Sequence, residues 1–430
     1  MTGAADWEAL LRACAAGFTR PSCLLFWTLV SAWVLCPGRR TVTRMIGVAA
    51  PDGAHAHDAY HRFLRAGAWR MPDLWCTLVG LLVPRLASTG VLHVDLDDTL
   101  FHKAGRKIDG AGTFRDPVRS TARQVVYALG LNVVVLTLRL TPPWGGEPLG
   151  LPVNVRLYRK GGPSHLALGA LMLRELASWL PDRTFALACD GAYAALAGLD
   201  LPRAHVTSRM RRDAALYLPP PPRKRGQRGR PRKRGRRLPS PERLARRTTR
   251  GWVSTVIDVR GKSVERLLLC RPVLWYHVCP HRLVLLVIVR DPLRKQPDDF
   301  FFTTDLSTAP AAVASQYSGR WAIEDTFRQT KQALGGEDPQ TWKAEGPERA
   351  AALSLWVYAA VWLWYLKVYG TKPSWPTLPW YPKKCTPSFA DALAALRRAL
   401  WHQRIYANSS SRPLSPKFTD GLIEILARAA

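Results

Sequence analysis

One apolar stretch ends in a cluster of acids: "VLHVDLDDTLF" (91–101) carries Asp95, Asp97 and Asp98, with Thr99 directly after. Such residues at a strand end can do two kinds of phosphate chemistry. Asp95 and Asp97, spaced Asp-x-Asp, could serve as nucleophile and general acid on a phosphomonoester. Alternatively, a strand-end Asp can be the first ligand of a two-metal site that cuts phosphodiesters, provided other carboxylates converge on it. Two further acids qualify. Asp190 ends the apolar stretch "TFALACD", and Glu324 lies in "QYSGRWAIEDTFRQTKQALGG".

The second of these segments also holds Tyr317, Arg320 and Lys331. Relative to Tyr317, Arg320, Glu324 and Lys331 fall at about −60°, −20° and −40° around a helix advancing about 100° per residue. The phenol, guanidinium, carboxylate and ammonium therefore share one face about 60° wide, with Ile323 and Phe327 to its side. A solvated helix face is also polar, so the stripe gains meaning only from its spacing. Ser307 or Thr308 is the predicted cap, Pro310 falls in the first turn, and Gly335-Gly336 ends what reads as one helix.

These residues need a scaffold, and the pattern supplies one. The first ~85 residues read as helical, from three-to-four apolar spacing in "ALLRACAAGF" and "CLLFWTLVSAWVL". Two short basic pieces there, "PGRRTVTRMIG" and "HDAYHRFLRAGAWR", are compatible with a helix-turn-helix-like module. Strands follow at 91–97, within 125–140 and at 151–160, then a helix at 165–180 and strands at 184–190 and 204–210. Strand-strand-strand-helix-strand predicts an α/β fold: antiparallel strands joined to a parallel strand by a crossover helix, as in an RNase H-like core. Residues 219–250, rich in Pro and Arg, read as a disordered or DNA-ordered arm. A β-rich insertion is expected at 251–304, and helices after that.

The chain of 430 residues has 62 Lys+Arg against 32 Asp+Glu, a net charge of +30. The segment 223–250 holds 14 basic residues and one Glu, and the rest of the chain still carries +17. A field of that size attracts polyanions, with nucleic acid as the leading partner and an anionic membrane surface as the competitor. Within the arm, "RGRP" (228–231) resembles an AT-hook, so Arg228, Arg230, Arg232, Lys233 and Arg234 are candidate DNA contacts; a merely electrostatic linker fits equally well. Eight cysteines without a C-x-x-C pair point to reduced thiols in a cytosolic protein, and the first residues lack a signal-peptide pattern. The uncharged stretch 350–366 sits at the short limit of a membrane span, but reads as a buried helix. His277, Cys279 and His281 suggest zinc, yet on a strand the two histidines would stand ~13 Å apart, too far to share an ion. Trp321, beside the polar stripe, could stack on a displaced base; packing is the better reading.

Tyr-(2)-Arg-(3)-Glu-(6)-Lys resembles, at every spacing, the YREK signature of DDE transposases from bacterial insertion sequences. "VDLDDTLFHKAGRK" is similar to that group's first-Asp strand, and "ALACDGAYA" to its second-Asp segment. The likeness spans roughly residues 20–370. It implies an RNase H-like catalytic core interrupted by a β-rich insertion, with an N-terminal helical domain and C-terminal helices. The implied division is 1–88 for DNA ends, 89–218 and 305–370 for the core, 219–250 for the arm, 251–304 for the insertion and 371–430 for a helical tail. By the same resemblance Asp97, Asp190 and Glu324 are the catalytic triad and hold two Mg²⁺ (or Mn²⁺) ions, while Tyr317, Arg320 and Lys331 contact DNA. Asp95 lies on the same face as Asp97 and remains the alternative first ligand. The implied partner is double-stranded DNA, both terminal inverted repeats and target, bound by a homodimer in the bacterial cytoplasm at the nucleoid. Two other readings stay open: a transposase-derived DNA-binding protein without catalysis, and a haloacid-dehalogenase-like phosphatase built on Asp95.

Overall fold

A ten-stranded mixed sheet runs through the molecule, in the order β2-β3-β1-β5-β6-β10-β9-β8-β7, with β4 also paired to β3. The structure is a computed structural model. It describes residues 2–429 except 51, 88, 122, 224–228, 371, 377–378 and 409–414. Five helices come first: α1 (Thr2–Ala13), α2 (Arg20–Leu35), α3 (Val42–Ala49), α4 (His57–Ala66) and α5 (Met71–Leu86). The first half of the sheet and its crossover helix follow, as β1 (Leu92–His102), β2 (Gly112–Arg115), β3 (Tyr127–Leu140), β4 (Leu149–Tyr158), α6 (His165–Trp179), β5 (Phe185–Cys189) and β6 (Ala204–Arg209).

The predicted strand-strand-strand-helix-strand order is present. β3 lies antiparallel to β1 and β4, α6 crosses over, and β5 runs parallel to β1 and β6. The short β2, which the sequence pattern did not announce, shares β3's outer edge with β4. The middle of β3 is buried on both faces, as its unbroken apolar run requires. On one side of β1, α6 comes so close at Gly169 that a Cβ there would lie 2.6 Å from Leu96 Cδ2. The opposite face, carrying Asp95 and Asp97, is therefore the one left for the Glu324 helix.

The β-rich segment extends the same sheet: β10 (Asp299–Thr303) pairs antiparallel with β6, then β9 (Val284–Arg290), β8 (Lys262–Val273) and β7 (Val253–Val259) continue outward. The arm before it departs from expectation. Ser240 caps a short helix, α7 (Pro241–Arg247), and Leu238, Leu244 and Ala245 are buried. Backbone bonds Leu218 N–H to Arg236 O and Leu238 N–H to Leu216 O fold residues 235–250 back onto the body. These side chains, with the buried Pro241, anchor the second half of a segment that composition alone marked as unable to pack. Arg228, the first residue of the "RGRP" motif, lies outside the described residues.

Two helices follow where one was predicted, α8 (Pro310–Gly319) and α9 (Trp321–Gln332). At the joint the bonds tighten to i→i−3, Arg320 N–H to Tyr317 O at 3.2 Å and Ile323 N–H to Arg320 O at 3.0 Å. Gly319 sits there because Arg139 of β3 passes against it, leaving no room for a side chain. The cap also differs. Ala309 occupies that position, and Thr308 instead donates its hydroxyl to Asp305.

The chain ends in α10 (Gly346–Tyr369), α11 (Phe389–Asn408) and α12 (Pro416–Arg428). α10 is the one helix among the described residues long and apolar enough to cross a membrane, and here it is buried along nearly its whole length. The N-terminal helices pack around it. Arg349 of α10 donates to Trp69 O at 2.7 Å, and Trp33 of α2 donates to Leu334 O at 2.8 Å.

Candidate active site

β1 and β5 are in parallel register, with Leu96 opposite Cys189. The next residues, Asp97 and Asp190, thus stand side by side, about 4.8 Å apart at the backbone. Only Asp190 follows a strand end: β1 runs on past the expected end at 97 to His102, still paired with β3. The α8–α9 joint lies over them. Tyr317 donates its hydroxyl to Asp190 Oδ1 at 3.4 Å. Arg320 donates Nη1 to Asp97 Oδ2 at 2.5 Å and Nη2 to Glu324 Oε1 at 3.1 Å. One guanidinium therefore joins the first strand's acid to the helix's acid, while a phenol reaches the second strand's.

Burial governs the electrostatics. It pushes Asp97 up to about 7, against the opposing pull of Arg320 and with help from Asp98 and Asp190. Glu324 is likewise raised by burial, and Asp190 adds to the effect while Arg320 and Arg260 oppose it. Burial also works against the Arg320 charge, but Asp97, Tyr317 and Glu324 outweigh it and hold arginine above its ordinary value. Tyr317 is pushed up to about 12, chiefly by burial, so its hydroxyl stays a donor. Its ring stacks on Phe301 at 4.5 Å, and Arg209, ion-paired with Asp299, lies over it at 5.9 Å. No spacing rule pointed to Arg209; only the pairing of β6 with β10 brings it here.

Asp95 has a different environment. Its side chain is fully enclosed and faces Arg139 Nη2 at 3.2 Å, with burial pushing it up to about 6. A nucleophile must reach its substrate, so the phosphatase reading loses its key residue. The same enclosure, with Arg139 against its carboxylate, weighs against Asp95 as the first metal ligand.

Lys331 does not join the carboxylates. Its ammonium donates to Thr99 Oγ1 at 2.8 Å and Leu100 O at 2.7 Å, pinning the far end of α9 to β1. Nearby, His102 Nδ1 meets Glu337 at 3.0 Å and its Nε2 meets Asp116 at 2.8 Å, while Lys103 Nζ donates to Glu337 O at 2.6 Å. These contacts clamp the turn after α9 and so fix the helix's direction. His102 and Lys103 were missed because no helical or strand period links them to residue 337.

The remaining candidates are scattered. Trp321 is partly exposed, with the Arg260 guanidinium over its ring at 3.6 Å. Arg230, Arg232 and Lys233 are exposed, whereas Arg234 bonds the Tyr217 hydroxyl and stacks over Tyr217 and Tyr276. His277 and His281 lie in the turn between β8 and β9, not on a strand, and Cys279 is buried with its thiol donating to Ala197 O at 3.2 Å. The spacing argument against zinc therefore rested on the wrong element. Among the described residues no three His, Cys, Asp or Glu side chains are gathered closely enough to hold a metal ion.

Two family models match the chain. The DDE superfamily endonuclease family covers residues 19–253, and the transposase DDE domain covers 146–362. The first spans Asp97 and Asp190, the second Asp190 and Glu324. This chain belongs to the DDE superfamily of endonucleases. Its α/β sheet, with helices at both ends of the chain, is the RNase H-like DDE core expected from the element order. The family acts as transposase and endonuclease on DNA, which agrees with the +30 charge. No curated protein matches the chain.

Proposed function

We propose that this DDE protein is the transposase of an insertion sequence, cutting and joining DNA ends with Asp97, Asp190 and Glu324 as its catalytic acids. The observation that carries the reading is the Arg320 bridge, which brings an acid from β1 and an acid from α9 to one group while Tyr317 reaches the third.

The three side chains offer hard carboxylate oxygens, the donors Mg²⁺ and Mn²⁺ prefer. Their mutual repulsion and burial, seen in the raised Asp97 and Glu324, are what divalent charge would relieve. In this conformation Arg320 supplies part of that positive charge, so loading two ions requires it to release at least one carboxylate. Bound ions supply a hydroxide-like nucleophile and neutralise charge at phosphorus. The chain's own groups do the rest. Arg320, once freed, is placed to grip a DNA phosphate, and Tyr317 to donate a hydrogen bond beside Asp190. Lys331 and the clamp around Glu337 hold α9 so that Glu324 keeps facing the strand ends.

The substrate under this reading is double-stranded DNA carrying the element's terminal inverted repeats. Exposed arm residues Arg230, Arg232 and Lys233 contribute sequence-independent phosphate contacts. Pairing two ends calls for a dimer.

The test is Mg²⁺-dependent cleavage of end-containing DNA by wild type and by Asp97→Asn, Asp190→Asn and Glu324→Gln. Each variant is expected to lose cutting by on the order of 10³-fold or more. Cutting retained in all three would end the assignment. DNA binding without any cleavage by wild type would favour a repurposed DNA-binding protein.

A further inference from the structure

Asp97 and Asp98 point to opposite sides of β1, and only one of them has been given a task. Asp98 lies on the α6 side, where it collects donors from two other elements. Its Oδ1 accepts from the Tyr193 hydroxyl at 2.9 Å and its Oδ2 from Asn132 Nδ2 at 3.0 Å. Asn132 Oδ1 meets His165 Nε2 at 3.0 Å, and the His165 ring stacks on Tyr158 at 3.9 Å. The network thus runs from β1 through β3 to the first residue of α6.

Its other end is the informative one. Tyr193 is fully buried in the short 3₁₀ stretch (Gly191–Gly198) that begins directly after Asp190. Its backbone N–H donates to Asp190 O at 2.9 Å. At the near end, the Asp98 N–H donates to Asp97 Oδ1 at 3.0 Å. One hydrogen-bonded path therefore connects the Asp97 side chain, through Asp98 and Tyr193, to the Asp190 backbone. β-sheet pairing between β1 and β5 stops at Leu96 and Cys189, one residue short of both acids. Past that point the β1–β5 ladder no longer joins them; this path does, while β3 still pairs with Asp97 and the Ser208 hydroxyl donates to Asp190 O at 3.0 Å.

We propose that Asp98 and Tyr193 are positioning residues for the metal-holding aspartates, fixing the spacing and orientation of Asp97 and Asp190 from the far side of the sheet. The proposal rests on the reading of Asp97 and Asp190 as metal ligands. Neither residue touches substrate or reacting atoms. Outer groups that orient ligands change metal affinity by about 10–100-fold when removed.

The test measures Mn²⁺ binding to the full chain without DNA, by titration with electron paramagnetic resonance detection of free ion, for wild type, Tyr193→Phe, Asn132→Ser and Asp97→Asn. Thermal unfolding with and without Mn²⁺ is followed in parallel. Tyr193→Phe keeps the ring and loses one hydroxyl; Asn132→Ser breaks the network from β3 and covers the case in which the first variant fails to fold. A 10- to 100-fold weaker Kd in either folded variant, with cleavage restored by excess Mn²⁺, is the expected result. A lower metal-free Tm with an unchanged Kd would make the network structural only and overturn the proposal. Asp97→Asn separates the two failures. If it too binds Mn²⁺ as wild type does, the metal-ligand reading itself is wrong; if it alone loses binding, only the positioning role falls.

Discussion

Asp95 lies one pleat deeper than Asp97 on the same face of β1, and each meets an arginine. Arg139 comes from the neighbouring strand β3, and its pair with Asp95 is sealed, with side-chain exposures of 8% and 0%. Arg320 comes from a helix joint, and its pair with Asp97 keeps 12% and 20%. The first arginine is held in place by its donation to Gln316 O at 2.5 Å. The second sits where helical bonding has already tightened to i→i−3, and it divides its charge between two acids. Identical chemistry two residues apart thus takes two forms, a closed pair beneath the joint and one partly open to solvent.

The comparison breaks first on activity. Asp97→Asn is expected to abolish strand cleavage, while Asp95→Asn, measured per folded molecule, stays within about tenfold of wild type; the two roles reverse if Asp95 proves the essential acid. Stability gives the next contrast. Arg139→Met strands a buried carboxylate and should cost about 3–5 kcal/mol by chemical denaturation, whereas Asp95→Leu with Arg139→Met should recover most of that loss. An additive double mutant would show that the pair is not a closed unit.

A smaller effect tests the far end of α9. Burial pushes Lys103 from 10.5 down to about 8. Between those values the unfolded chain binds more protons than the folded one, so this residue's contribution makes stability rise as pH increases from about 8 to 10.5. The stability difference between wild type and Lys103→Met should grow in wild type's favour across that window. A flat difference would mean that Lys103 is not buried in solution.

How much of this was legible beforehand follows from which interactions are periodic. β1, β3, β4, α6, β5 and β6 were readable because each buries a regular apolar pattern, and their order gave the core. The four-residue signature was readable as spacing, and two of its members, Tyr317 and Arg320, do meet Asp190 and Asp97, with Glu324 tied in through Arg320. Lys331 does not, because a helix broken at Arg320 and clamped at Glu337 turns its last residues toward Thr99. Nothing local could separate Asp95 from Asp97. That choice depends on Arg139, more than forty residues away in the chain, and on the residues that close over it. The arm was misjudged for the opposite reason, since Leu238, Pro241, Leu244 and Ala245 are too few to outweigh its basic composition in a sequence window, yet they dock its second half.

The most direct test of the central claim is a crystal structure of the chain in Mn²⁺ with anomalous scattering recorded at the manganese edge. The account predicts manganese between Asp97, Asp190 and Glu324, with Arg320 displaced from at least one carboxylate and the Asp95–Arg139 pair undisturbed. Arg320 still bridging Asp97 and Glu324 at saturating Mn²⁺, with no anomalous density against either strand end, would contradict it.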